Sequence, residues 1–392
     1  MPVMVGFAQS VITPPLPVQL AGHRGPRMAS AVADDLHARA AVFSDGDTLY
    51  AIVACDLIWL PRRVVMYAKD LISRSAAVRP QNVMVTCTHT HSGPDTLDWY
   101  AFAAPIPQWW LDWLAHALAS TVYRALHAMN ECSMRRGEAE FAQAVNRRKM
   151  VGDVVYRQPN DMGQVDRRMS VLSFAGASGV IGGIVHAGMH PVVLGADSTV
   201  VSGDWCGIMM NEMARRHGGI WLFLNGVAGD NNPKLWSGGN SYDTLVACGH
   251  RAADDATAAL AKAQAFAAPV VTARVATGRY ESQSHAYLTV EQDRRTREDA
   301  GLQIDTQALR LGSLTLVGLA GECVFDVGHK ITSAVGDCWV VSYANDYVGY
   351  LVTKAQYREG GYEPAASMLS ADGSENYVDA AIANGRAVNG RV

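Results

Sequence analysis

Val83–Cys87 is an unbroken run of apolar and β-branched residues that leads into Thr88-His89-Thr90-His91 and is stopped by Gly93-Pro94. Such a run reads as a buried strand, and the glycine-proline pair ends any regular structure after it. Side chains of an extended chain alternate between faces, so His89 and His91 are expected to point the same way. In α/β proteins, loops that follow strands are where ligands and reacting groups collect. Two imidazoles there can form a metal pair, or one ligand and one proton carrier. They can equally be two hydrogen-bonded surface histidines.

The same pattern recurs along the chain. Residues 180–187 read as a strand that runs into Gly188-Met189-His190-Pro191, and residues 220–224 as one that opens into a turn-rich loop holding Asn231 and Asn232. Residues 314–319 form another, ending in Ala320-Gly321-Glu322 where a helix begins. Further strands are expected at 3–8, 38–44 and 49–55 (a hairpin across Asp45-Gly46-Asp47), 170–174, 270–280, 307–312 and 338–344. Residues 134–144 alternate and are ended by Asn146-Arg147-Arg148, a solvated cation pair or an arginine aimed at an anion or carbonyl. Helical periodicity marks 62–77, 108–129, about three turns after Asp204, 244–264 and 375–388, with a charged, solvated helix at 291–299. No repeat, low-complexity run or flexible linker interrupts this order. The expectation is an α/β fold, a mixed β-sheet core flanked by helices, in a single domain over 1–392.

Composition narrows the function classes. Of 392 residues 49% are hydrophobic and 18% charged, the net charge is −4, and no Lys/Arg run occurs, which argues against a nucleic-acid partner. Seven scattered cysteines without a Cys-x-x-Cys read as buried free thiols in a reducing compartment. The first residues lack a basic segment followed by an apolar one, and no apolar run reaches the ~18–20 residues that span a bilayer. A cytoplasmic enzyme with no membrane span is expected. Self-association into a homo-oligomer is left open.

Four strand ends thus each deliver polar groups: His89 and His91, His190, Asn231 and Asn232, and Glu322. Two histidines and one carboxylate form a common ligand set for catalytic zinc with an open position for water.

Taken together, these motifs resemble the N-terminal catalytic domain of the neutral/alkaline, non-lysosomal ceramidases. The likeness is carried by Val5-Gly6-Phe7-Ala8 with Ile12-Thr13-Pro14-Pro15, then Thr88-His89-Thr90-His91-Ser92-Gly93-Pro94-Asp95, Asn146-Arg147 and His190-Pro191. It continues through Ser202-Gly203-Asp204, Gly229-Asp230-Asn231-Asn232-Pro233, Gly321-Glu322, and Tyr350-Leu351-Val352-Thr353 to Tyr362-Glu363. The motifs run in family order over nearly the whole chain. By position the resemblance implies one zinc ion held by His89, His190, Glu322 and Tyr350. It implies a hydrogen-bonding, proton-handling role for His91, and catalytic roles for Arg147 and Tyr362. The twelve-residue spacing between Tyr350 and Tyr362 is that of the family and selects Tyr350 over Tyr347 and Tyr357.

Two departures bear on the substrate. Asn232 stands where the family has serine in its Gly-Asp-x-Ser-Pro motif, so a serine's chemistry cannot be supplied there; Asn232 is expected either to orient the substrate by hydrogen bonds or to serve as a turn residue. The family's C-terminal immunoglobulin-like domain and secretion signal are also missing, which argues against a secreted enzyme acting on membrane ceramide. The expected activity is zinc-dependent hydrolysis of a small-molecule amide, linear or cyclic, by metal-activated water. An ester or lactone hydrolase using the same site, a non-catalytic binding protein, and a serine or cysteine hydrolase are the competing readings. The last lacks a Gly-x-Ser-x-Gly.

Overall fold

The computed structural model describes residues 3–23, 25–97, 106–235, 241–267, 271–283 and 301–390. The helix expected at 291–299 lies outside them.

A large mixed sheet forms the first half. Its strands lie in the order Ile220–Asn225, Gly179–Ala187, Arg168–Gly176, Asn130–Glu140, Val3–Val11, His37–Ser44, Leu49–Cys55 and Val83–Cys87, with the short Gln264–Ala265 on the side of Asn130–Glu140. Pairing is antiparallel except at the two edges, where Ile220–Asn225 runs parallel to Gly179–Ala187 and Val83–Cys87 parallel to Leu49–Cys55. A second, four-stranded sheet holds Val271–Tyr280, Leu302–Leu311, Leu314–Gly318 and Cys338–Val341.

The strands His37–Ser44, Leu49–Cys55 and Val83–Cys87 look apolar almost throughout because both their faces are covered. In the His37–Ser44 and Leu49–Cys55 hairpin, Ala40, Val42, Ala51 and Val53 pack with residues of the helices Arg62–Ala76 and Gln108–His127. The alternate residues Ala41, Phe43, Tyr50 and Ile52 pack with Leu309, Leu316 and Trp339 of the second sheet. Helices Asp204–His217 and Tyr242–Ala261 cover the other half of the large sheet. Phe325–Val335 and Ala371–Val388 cover the small one. The layers are therefore helix, sheet, sheet, helix, the mixed sheet core flanked by helices that the strand and helix order implied.

Three local expectations are corrected. Asn146-Arg147-Arg148 does not end a strand but lies inside a separate one, Ala144–Val151, which hairpins with Val154–Asn160. Asn231 and Asn232 lie not in an open loop but in the short strand Asn231–Pro233 paired to residues 144–146. The strand expected at 338–344 stops at Val341. Its continuation wedges between the edges of the large sheet: Ser342 N donates to Asn225 O, Thr86 Oγ1 to Ser342 O, and Asn345 N to Val85 O. The wedge and the sheet's curl bring strands from its opposite edges together, and Asn225 Nδ2 donates to Thr88 O across the seam. Among the described residues no helix is long and apolar enough to cross a membrane.

Candidate metal centre

At that seam the polar strand ends meet. Thr88 N bonds to Cys55 O, His89 N to Leu57 O, and His91 N to Pro191 O. The His-x-His segment is thus fixed to the loop of the neighbouring strand on one side and to the His190 loop on the other. It is not a continuation of the strand. Val83–Cys87 ends two residues earlier, and His89 takes a left-handed backbone with φ of 73°. The two rings still converge, with their Nε2 atoms 3.3 Å apart, but a turn rather than strand alternation brings them together. Gly22, at φ 91°, closes the far side of His91, where a Cβ would stand 2.3 Å from Nδ1.

His190 arrives from the adjacent loop, its N bonded to Asn231 O. Glu322 begins a two-residue parallel pairing in which it faces Tyr350 in register, so the two side chains share one side. Gly229 presses against the backbone of Glu322 and Cys323, and its N donates to Cys323 O at 2.8 Å. A Cβ at 229 would sit 2.9 Å from those carbonyl oxygens, too close to keep the contact.

The resulting cluster has the chemistry of a cation site. His89 Nδ1 lies 2.8 Å from Ile58 O and His190 Nδ1 2.5 Å from Ala228 O. A carbonyl only accepts, so both Nδ1 atoms carry the proton and both Nε2 atoms present lone pairs. Those lone pairs face Glu322 Oε2, at 3.3 Å from His89 and 3.0 Å from His190. Glu322 Oε2 has no hydrogen-bond partner of proper geometry although it is buried. Ligand atoms ~2.1 Å from a tetrahedral ion stand about 3.4 Å from one another, close to the separations seen. His89, His91 and His190 also offer nitrogens that all lie within 4.8 Å of one another. His91 differs from the other two in that its buried Nδ1 finds no hydrogen-bond partner.

Burial and neighbouring Arg147 push His190 down to about 4. Burial and the facing imidazoles push His91 well below its ordinary value, so it is neutral at physiological pH.

Arg147 sits behind this cluster, buried, with Nε on Glu363 Oε1 at 2.9 Å, Nη1 on Asn232 Oδ1 at 3.0 Å and Nη2 on the Tyr350 hydroxyl at 2.9 Å. Tyr362 packs edge-on against Tyr350, ring centres 5.5 Å apart. A cavity of about 560 Å³ opens over the cluster; His89, His91, Glu322, Tyr350 and Tyr362 contribute to its wall. Asn232 is not among its lining residues, because its carboxamide oxygen is turned back onto Arg147. Seven of the eight residues singled out from the sequence therefore meet at, or directly behind, one cavity, and the eighth holds the arginine behind it.

Several participants carried no signal of their own in the sequence. Tyr347 donates to Glu322 Oε1 at 2.6 Å, and Tyr343 stacks on the His89 ring at 4.0 Å. Glu363 pairs with both Arg147 and Arg148. In the sequence Tyr347 is marked only as an alternative to Tyr350, Glu363 only by its place in Tyr362-Glu363, and Tyr343 only as part of an expected strand.

No protein-family model and no curated protein matches the chain. Solved structures do. The neutral ceramidase from Pseudomonas aeruginosa superposes with a TM-score of 0.83 at 18% identity, over 100% of this chain and 75% of that one. A ceramidase complexed with C2 superposes with a TM-score of 0.79 at 19% identity, over 100% of this chain and 76% of that one. The chain has the neutral ceramidase fold.

Proposed function

We propose that this protein is a zinc-dependent hydrolase that cleaves an amide bond of a small molecule, and that His89, His190, Glu322 and Tyr350 hold the ion. One observation carries the reading: two imidazoles, each fixed by a carbonyl behind it, turn their lone pairs on a buried carboxylate oxygen that lacks a hydrogen-bonding partner. The ceramidase fold supports an amide as the bond cut. A cytoplasmic location fits the seven cysteines, all buried free thiols.

His91 is excluded from the ligand set because nothing fixes its second nitrogen, which ligating histidines almost always have bonded. When bound, zinc lowers the pKa of its water toward ~7 and polarises a carbonyl oxygen. His91, kept neutral by burial, acts as the base at Nε2 and then delivers that proton to the leaving nitrogen. Arg147 has its N–H groups directed at Glu363, Asn232, Tyr350 and, at 3.3 Å, His190 Nε2, so it acts by fixing the positions of the Tyr350 hydroxyl and the His190 ring. Tyr362, on the cavity wall beside Tyr350, is placed to donate to the carbonyl oxygen as charge develops there, a contribution of ~3 kcal/mol for one such donor. This mechanism needs no acyl-enzyme, so asparagine at 232 does not abolish it, and Asn232 serves by holding Arg147.

Elemental analysis of the purified protein, with turnover of N-acyl compounds measured before and after chelation, tests the proposal. About one zinc per chain, and chelator-sensitive release of amine, are expected. Matched esters separate an esterase from an amidase. Protein that binds no divalent metal and keeps its activity in chelator would rule the mechanism out.

A further inference from the structure

Among the described residues lining the cavity, Arg157 is the one arginine or lysine, and Glu322, which faces the histidines, is the one acid. Arg157 lies on the strand Val154–Asn160, opposite Arg148 in the hairpin register. The two arginines differ in their surroundings. Arg148 is buried and paired with Glu359 and Glu363. Arg157 is exposed and makes no ion pair among the described residues. Its guanidinium lies 4.8 Å from the centre of the Tyr362 ring, a cation–π contact that holds it over the cavity without neutralising it.

Tyr362 also fixes the scale. Its ring centre is 5.5 Å from that of Tyr350, at the cluster, and 4.8 Å from the Arg157 charge. One aromatic ring separates the reacting end of the cavity from the cation at its mouth. The cavity wall also includes Ile58, Trp59, Val155 and Ala365, which offer no charge to compete.

Resting on the amide-hydrolase reading above, we propose that the substrate carries a carboxylate a few bonds from the scissile carbonyl, as an N-acyl amino acid does, and that Arg157 is the specificity residue that receives it. Arginine binds carboxylate through two parallel N–H bonds, and the tyrosine face keeps its fork oriented. A neutral sphingolipid amide has no group for this cation. The carboxylate can lie on the amine side of the amide or on the acyl side, since the same cation would serve both.

The test compares the zinc-loaded protein with Arg157→Met and Arg157→Lys on three amides: N-octanoylglycine, N-octylsuccinamate and the neutral N-octanoylethanolamine. For the wild type, kcat/KM is expected to be greater on a carboxylated amide than on the neutral one, and which of the two carboxylated amides is preferred gives the side. Arg157→Met should lower that preference by about tenfold to hundredfold, mainly through KM, and Arg157→Lys should restore part of it. An unchanged preference in Arg157→Met overturns the inference while leaving the hydrolase intact. Calorimetric titration of N-octanoylglycine and N-octylsuccinamate into the same three proteins separates the other failure. Binding that depends on Arg157 without hydrolysis sustains the anion site and defeats the hydrolase reading. Binding and turnover that are both indifferent to Arg157 defeat the anion site.

Discussion

Tyr347 donates its hydroxyl to Oε1 of Glu322 at 2.6 Å, leaving Oε2 of the same carboxylate to face His89 and His190. The tyrosine divides the two oxygens, one for the protein and one for the proposed ion. Partners of this kind orient ligands and typically contribute 10–100-fold in metal affinity. Tyr347→Phe is therefore expected to weaken zinc binding by about that factor while the fold survives, read by competition with a fluorescent chelator. Unaltered affinity would reduce Tyr347 to packing.

Within the histidine group the two roles separate by mutation. His89→Ala and His190→Ala should each lose bound zinc and turnover together. His91→Ala should retain zinc and lose rate by about a hundredfold or more, as for removal of a general base. Metal content by mass spectrometry decides, and zinc loss in His91→Ala alone would reverse the assignment.

Gly22 supplies a check on His91 that leaves the ring in place. A methyl group at 22 would meet Nδ1 at 2.3 Å, on a backbone at φ 91° that alanine disfavours. Gly22→Ala should displace His91, lower kcat and keep zinc. Circular dichroism and metal content, measured alongside, show whether the fold was spared.

Glu363 neutralises two buried arginines, with Arg147 and Arg148 at 2.9 and 2.7 Å. Removing one partner of a buried pair strands the other charge and costs about 3–5 kcal/mol. Glu363→Ala should lower the urea midpoint accordingly, and Glu363→Gln less so, because its amide oxygen can still accept one bond.

Asp204 gives a pH dependence. It is fully buried, with φ 54°, and accepts from the backbone N–H groups of Val193 and Trp205, yet burial pushes its carboxyl from 3.8 up to about 7. Between those values the folded protein holds a proton that the unfolded chain has released. Its contribution to stability is therefore present in acid and lost as pH rises from about 4 to 7. Asp204→Asn should flatten that part of the stability curve measured by urea unfolding. A slope that is the same in both proteins would mean that Asp204 does not titrate there.

What the sequence determined by itself was local. Apolar runs with abrupt polar stops marked His89, His91, His190 and Glu322 as the groups to watch, because strand burial and glycine-proline stops are written in a few consecutive residues. The mixed sheet with flanking helices followed from the order of those runs. The likeness to a known domain gave Arg147 a role and added Tyr350 and Tyr362; the two tyrosines line one cavity, and Arg147 stands behind it with a bond to Tyr350.

What tertiary structure alone decided was how distant segments complete one another. The left-handed turn at His89, the Ser342–Asn345 wedge between opposite edges of the sheet, and the Tyr347 bond to Glu322 all depend on partners from 25 to 260 residues away. The retreat of Asn232 behind Arg147, and the difference between a paired Arg148 and an Arg157 with no ion pair among the described residues, have the same origin. A side chain's role here is set by which backbone and which charge it meets across the fold, and no window of neighbouring residues contains that information.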